Sequence, residues 1–196
     1  MKKRILLLIG FVASFFLTGC GKNQYQLLAE NVKQIELTGN LVTYQAYYHN
    51  VIEYEKKAGS GITHLLEEDR KLFAEYTGTI RYGINLSNVK IEVKGNEINV
   101  FVPKAKVIGE PNVDKDDFDA KNFIESKEGI NKNPITADDS AKAFDEAQKN
   151  MKEAAAKDDE LLAMAQMRAK VLLEENIHQL SGLNPKSYTI NWEYEQ

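Results

Sequence analysis

Between Thr136 and Ser181 the chain runs without a single glycine or proline, and that run sets limits on the fold. Its residues are mostly Ala, Leu, Met, Glu, Lys and Gln, which lose little side-chain freedom in a helix. Thr136 and Asp139 have the spacing of a capping box, and Gly182 followed by Pro185 supplies a stop. The spacing predicts a long C-terminal α-helix over about 137–181. Unbroken, it would extend about 66 Å, whereas a compact domain of this size is about 40 Å across. The helix must therefore bend or overhang, and the charged run Lys157-Asp158-Asp159-Glu160 is the expected weak point. Phe144, Met151, Ala155, Leu162, Ala165, Ala169, Leu172 and Leu180 recur at helical spacing as the expected core face. The part from Leu161 to Leu173 is apolar over more than one stripe and is the better candidate to cover a sheet.

The sheet is marked by period-two alternation. Leu72, Ala74, Tyr76, Ile80, Tyr82, Ile84 and Leu86 share one side of 72–86, opposite Glu75, Thr77, Thr79, Arg81 and Asn85. Residues 41–54 place Val42, Tyr44, Ala46, Tyr48, Ile52 and Tyr54 on one side, and 186–195 do the same with Tyr188, Ile190, Trp192 and Tyr194. Two alternating runs flank Gly95-Asn96, a pair that tolerates positive φ, which predicts a hairpin over 89–102. The expected fold is α+β, a mostly antiparallel sheet packed against the long helix, with a strand at each end.

The amino terminus carries a different signal. Met1-Lys2-Lys3-Arg4 precedes an apolar run from Ile5 to Phe16, and Leu17-Thr18-Gly19-Cys20 ends it with the chain's only cysteine. A dozen apolar residues are too few to span a bilayer and match the core of an export signal. The pattern resembles a bacterial lipobox, in which the cysteine thiol receives diacylglycerol and the peptide is cut just before it. The expected organisation is a lipoprotein signal peptide over 1–19, lipidated Cys20 with a tether over 20–34, and one domain over 35–196. Two acyl chains on one residue make attachment effectively stable, so the expected location is the extracytoplasmic face of the cell membrane, held by the lipid on Cys20. Loss of Lys2, Lys3 and Arg4 leaves the mature chain more acidic than the formal −4 of the whole sequence. An acidic surface argues against nucleic acid as a partner.

Motifs for chemistry are sparse. Asp114, Asp116 and Glu125 fit three positions of a calcium loop, but Phe118 and Asp119 stand where that loop needs a ligand and a glycine. His49, His64 and His178 have no paired metal-ligand spacing, and His64 with Glu67 and Glu68 comes nearest to a site. Gly59-Ser60-Gly61 reads as a flexible connection, since no Lys-Ser or Lys-Thr follows it. No Gly-x-Ser-x-Gly elbow marks a nucleophile. No catalytic residue, metal ligand or cofactor is assigned, and the chain is expected not to be an enzyme.

The run Tyr76-Thr77-Gly78-Thr79-Ile80-Arg81-Tyr82-Gly83-Ile84-Asn85-Leu86 with Val89-Lys90-Ile91, the hairpin and Val102-Pro103-Lys104-Ala105 resembles the bacterial domain of unknown function 4230 (DUF4230). The likeness continues through the Ala-rich helix to Leu180-Ser181-Gly182-Leu183 and the closing strand. It implies an envelope or membrane-tethered domain with no established activity, so no catalytic residue carries over. The leading expectation is a non-catalytic binding or scaffold domain with an envelope protein as partner. A small-ligand or lipid carrier is the alternative, with Tyr44, Tyr48, Tyr54, Tyr76, Tyr82, Tyr188 and Tyr194 as cleft-lining candidates. A metal-dependent hydrolase built on Asp114, Asp116 and His64 is a third, weaker reading.

Overall fold

The structure, a computed structural model, describes residues 24–33, 35, 37–125 and 132–195. The leader and Cys20 lie outside the described residues. Helix α1 (Gln24–Lys33) comes first, then the long strands β1 (Asn40–Lys56) and β2 (Arg70–Asn85). The hairpin β3 (Lys90–Lys94) and β4 (Glu97–Val102) follows. Three two-residue strands come next: β5 (Lys106–Val107), β6 (Asn112–Val113) and β7 (Ile124–Glu125). Helices α2 (Ala137–Ala155) and α3 (Asp159–Ser181) and strand β8 (Thr189–Tyr194) complete the α+β fold.

The strands divide into two sheets rather than one. β1 pairs antiparallel with β2 along almost its whole length, and β5, β6 and β7 line the other edge of β2 in short stretches. The second sheet is β3-β4-β8, in which β3 and β4 form the expected hairpin, turning at Gly95 with φ of 63°. β8 runs parallel to β4. That orientation follows from the route: α2 and α3 return the chain to the start of β4, so the last strand enters from the same end as its neighbour.

Alternation along β2 matches the expected faces, with Leu72, Ala74, Tyr76, Ile80, Tyr82 and Ile84 all buried. β1 departs from its expected face at one point. The register shifts between Val42 and Tyr44, which leaves Val42 41% exposed and turns the Thr43 hydroxyl to donate to the Ala165 carbonyl at 2.8 Å. Gly83 lies beside this bulge, where a Cβ would stand 1.9 Å from the Leu41 carbonyl oxygen, so only glycine lets the two strands meet there.

The long helix breaks where charge accumulates. Ala156, Lys157 and Asp158 close α2 with short-range backbone bonds, and Asp158 Oδ1 then accepts from Leu161 N as the N-cap of α3. At the start of α2, Thr136 and Asp139 form the expected reciprocal capping box, and Gly182 ends α3 in the left-handed region with φ of 65°. Buried positions recur every fourth residue: Ala143, Ala147, Met151 and Ala155 in α2, then Ala165, Ala169, Leu173 and Ile177 in α3. Leu180, expected in the core, is 49% exposed, and Leu173 and Ile177 take the inward places.

Two cores result. The first packs α2 and the start of α3 on the tyrosine-rich face of β1 and β2. The second gathers Ile98, Val100 and Val102 of β4 with Ala169, Leu173 and Ile177, and also Leu28 and Val32 of α1. The segment expected to be a tether is thus partly folded, with Leu28 fully buried.

Candidate functional site

The connection between β1 and β2, read from sequence as a flexible link, is an ordered tip. Gly61 enters the left-handed half of backbone space at φ 107°, and a single tight turn follows over Ile62–His64. Glu67 holds the turn from within: one carboxylate oxygen meets His64 Nδ1 at 2.8 Å and the other accepts from Gly59 N at 3.0 Å. The Gly59 and His64 bonds hold the Glu67 carboxyl below its usual range. The His64 ring lies directly over Gly59, where a Cβ would come within 2.2 Å of it. At the base, Asp69 accepts from Ala58 N at 2.8 Å and pairs with Lys57 at 2.9 Å, while Asn133 donates to the Lys57 and Glu68 carbonyls. Leu66 O accepts from Lys132 N, tying the tip to the segment before α2.

This frame presents apolar side chains to water. Ile62 is 88% exposed, Leu65 78% and Leu66 55%. Full burial of each side chain is worth about 1.5–3 kcal/mol, so the tip carries a standing drive toward an apolar contact. Three such residues within five positions, on backbone held by side-chain and main-chain bonds, form a small exposed apolar patch. From Arg70 at the tip to Ile84 beside α1, β2 covers on the order of 45 Å. The tip and the amino-terminal helix therefore occupy opposite ends of the molecule.

A second apolar feature lies at the bulge of β1. Thr43, Tyr44, Met164, Met167, Arg168 and Val171 line a groove of about 540 Å³, roomier than the one of about 350 Å³ at Lys115, Phe118 and Phe144. Met164, Met167 and Val171 form a second stripe on α3 beside the buried one, and Met167 is 65% exposed. The width of the apolar surface in 161–173 thus serves both the core and a surface groove.

The other sequence candidates settle into structural roles. His49 stands 3.6 Å from Glu75 on the open face of the sheet. His178 and Ser181 both contact the Tyr188 hydroxyl, and Ser181 Oγ also donates to the His178 carbonyl, a network that closes the end of α3. Phe118 is buried against Tyr76, Phe123 and Phe144 and anchors the acidic stretch to the core, while Asp114, Asp116 and Asp119 stay exposed. Asp117 accepts from both Thr77 N and Thr77 Oγ1, and Asp114 Oδ1 accepts from Asp116 N. The Glu125 side chain lies outside the described residues. Asp114 binds its backbone to Thr77 and His64 sits beyond Arg70, so His64 lies about 20 Å along β2 from Asp114 and Asp116. Among the described residues, no group of three or more His, Cys, Asp or Glu is placed to hold a metal ion. Tyr76, Tyr82 and Tyr188 are core residues, and of the seven tyrosines proposed for a cleft Tyr44 lines the groove.

The class defined by these observations is a two-sheet α+β domain that presents an ordered apolar tip. Residues 33–188 match the family model described as protein of unknown function (DUF4230), and the chain belongs to that family. No curated protein and no solved structure matches it.

Proposed function

We propose that the protein is a lipoprotein tethered through Cys20 to the extracytoplasmic face of the membrane, whose folded part is a non-catalytic binding or scaffold domain of the cell envelope. The observation that carries the binding role is the tip: Ile62, Leu65 and Leu66 are exposed on a loop that Glu67, Asp69 and Asn133 hold in one shape. The tether reading rests on Leu17-Thr18-Gly19-Cys20 after its apolar run. In that arrangement α1 follows the anchored residue closely, and the tip points away from the tethering membrane toward another envelope component.

A photo-crosslinking residue at Leu65 in living cells is expected to capture one discrete partner, and the same probe at exposed Leu180 to capture none. Loss of the adduct in an Ile62→Ser, Leu66→Ser background would confirm the apolar contact, and identical patterns at the two positions would refute it. Labelled fatty acid is expected to enter the wild-type chain and not Cys20→Ser. The groove at Tyr44, Met164 and Met167 favours a second reading, a carrier for a small apolar ligand, since its volume lies in the range of ligand sites. A co-purifying small molecule lost on Met167→Glu would favour that reading over the scaffold.

A further inference from the structure

β1 is an edge strand of unusual character. Among the described residues it pairs with β2 alone. From Leu41 to Ile52 it contains no Lys, Arg, Asp, Glu, Pro or Gly, and its bulge lies at the start, leaving Tyr44 to Lys56 regular. Edges of monomeric proteins are ordinarily kept short or blunted by charge, proline or bulges. The other sheet follows that rule: edge strand β3 has five residues and points Lys90, Glu92 and Lys94 outward. The far edge of β2 is covered by β5, β6 and β7. β1 keeps a long open row of backbone donors and acceptors, and beside it Tyr47 is 70% and Val51 62% exposed.

We propose that the β1 edge is the interface of a homodimer, in which β1 of a second copy pairs antiparallel about a two-fold axis at His49. The strand is self-complementary in this register. Tyr47 stands opposite Val51 of the second copy and Val51 opposite its Tyr47, which covers both exposed apolar residues twice over with aromatic to β-branched pairs. Glu53 faces Gln45 and Glu55 falls beyond the regular pairs, at the bulge, so no two carboxylates oppose one another. On the helix-bearing face Tyr44 comes opposite Tyr54. Arg168 lines the groove at Tyr44, and Asp139, Lys142, Asp138 and Glu146 all act on the Tyr54 hydroxyl. Asp139 is paired with Lys56 and Asp138 with Lys142, which leaves Glu146 as the acid toward which the register brings Arg168 of the second copy. An isologous joint of this kind closes at two copies.

The test uses the full-length chain in mild detergent, with single cysteines added to a chain whose own cysteine is Cys20. His49→Cys is expected to give a disulfide-linked dimer on gentle oxidation, because the two positions are direct neighbours across the axis. Tyr47→Cys and Val51→Cys are expected to crosslink when mixed and not separately. Tyr47→Lys with Val51→Lys should weaken self-association by about tenfold or more in light scattering, with the unfolding temperature of the isolated chain retained. Arg168→Glu should weaken it less, and Glu146→Arg in the same chain should restore it. A monomeric mass for the wild-type chain overturns the proposal. So does a dimer in which His49→Cys crosslinks no better than Tyr47→Cys alone, since that dimer uses another surface.

Discussion

Asp139 shows how a single side chain can serve two elements. Its Oδ2 accepts from Thr136 N and Thr136 Oγ1 at the head of α2, and it pairs with Lys56 Nζ at 2.6 Å at the end of β1. Burial alone would push its carboxyl up, but the Lys56 and Thr136 bonds outweigh burial and hold it below its usual value. A carboxyl whose folded pKa lies below its unfolded value of about 3.9 contributes stability that is present above that pH. The contribution is lost as pH falls through the folded pKa. Asp139→Asn is therefore expected to lose about 2–4 kcal/mol at neutral pH, since it leaves the half-buried Lys56 without a counter-charge and with the Pro134 carbonyl still accepting from it. Below about pH 4 the gap to wild type should narrow. Urea unfolding at pH 7 and pH 3 checks this, and an equal loss at both values would remove the ion pair from the account. The capping role of this residue was legible in the spacing Thr136 to Asp139. Its partner Lys56 was not, because 83 residues separate the two and only the fold brings them together.

Among the elements, the strands were the most legible and the helix faces the least. Alternation in β2 reports burial directly, because a sheet with one covered face repeats every second residue. Met151, Ala155, Ala165 and Ala169 were expected on the core face and are buried there, but Phe144, Leu162 and Leu172 are half-buried and Leu180 is exposed, so alanine occupies most of the contact positions. The reason lies in the opposing surface: Tyr44, Tyr48, Tyr76 and Tyr82 already fill the space above β1 and β2, and small residues let the helices approach. Tyr82 is fully buried with its hydroxyl bonded to that of Tyr48, and burial followed by this bond raises its ionisation well above the ordinary tyrosine value. Ala147→Leu is therefore expected to destabilise the protein by about 1–3 kcal/mol through overpacking. Leu180→Ala, on exposed surface, should stay within about 0.5 kcal/mol. Thermal unfolding of the two variants compares them; a larger loss at Leu180 would mean the helix faces are reversed. The tip was hidden for a related reason. The exposure of Ile62, Leu65 and Leu66 shows only once the ends of β1 and β2 place 62–66 beyond the sheet, where no described residue buries them.

At the scale of the molecule, α3 is the beam that joins the two cores. Ala165 belongs to the first, while Ala169, Leu173 and Ile177 belong to the second. Gln166, between them, accepts from Ala105 N and donates to the Pro103 carbonyl, fixing the beam to the link between the sheets. The second core is completed from outside the expected boundary. α1 supplies Leu28 and Val32, and Asn31 Nδ2 donates to the Ser181 carbonyl at 3.0 Å, one of the orphan acceptors at the end of α3. The family match begins at residue 33 and the domain was expected to begin at 35, so sequence placed α1 with the tether. A ten-residue helix with two core residues one turn apart is too short to give much periodic signal. If α1 is part of the fold, Leu28→Ala with Val32→Ala is expected to cost roughly 3–6 kcal/mol, since both side chains leave cavities against β4 and α3. Denaturant unfolding of this double variant is the measurement. A midpoint unchanged from wild type would mean that α1 rides on the domain without holding it. The expected loss makes α1 and the second core one cooperative unit, because Leu28 and Val32 pack with Leu173 and Ile177 of α3 and with the apolar face of β4.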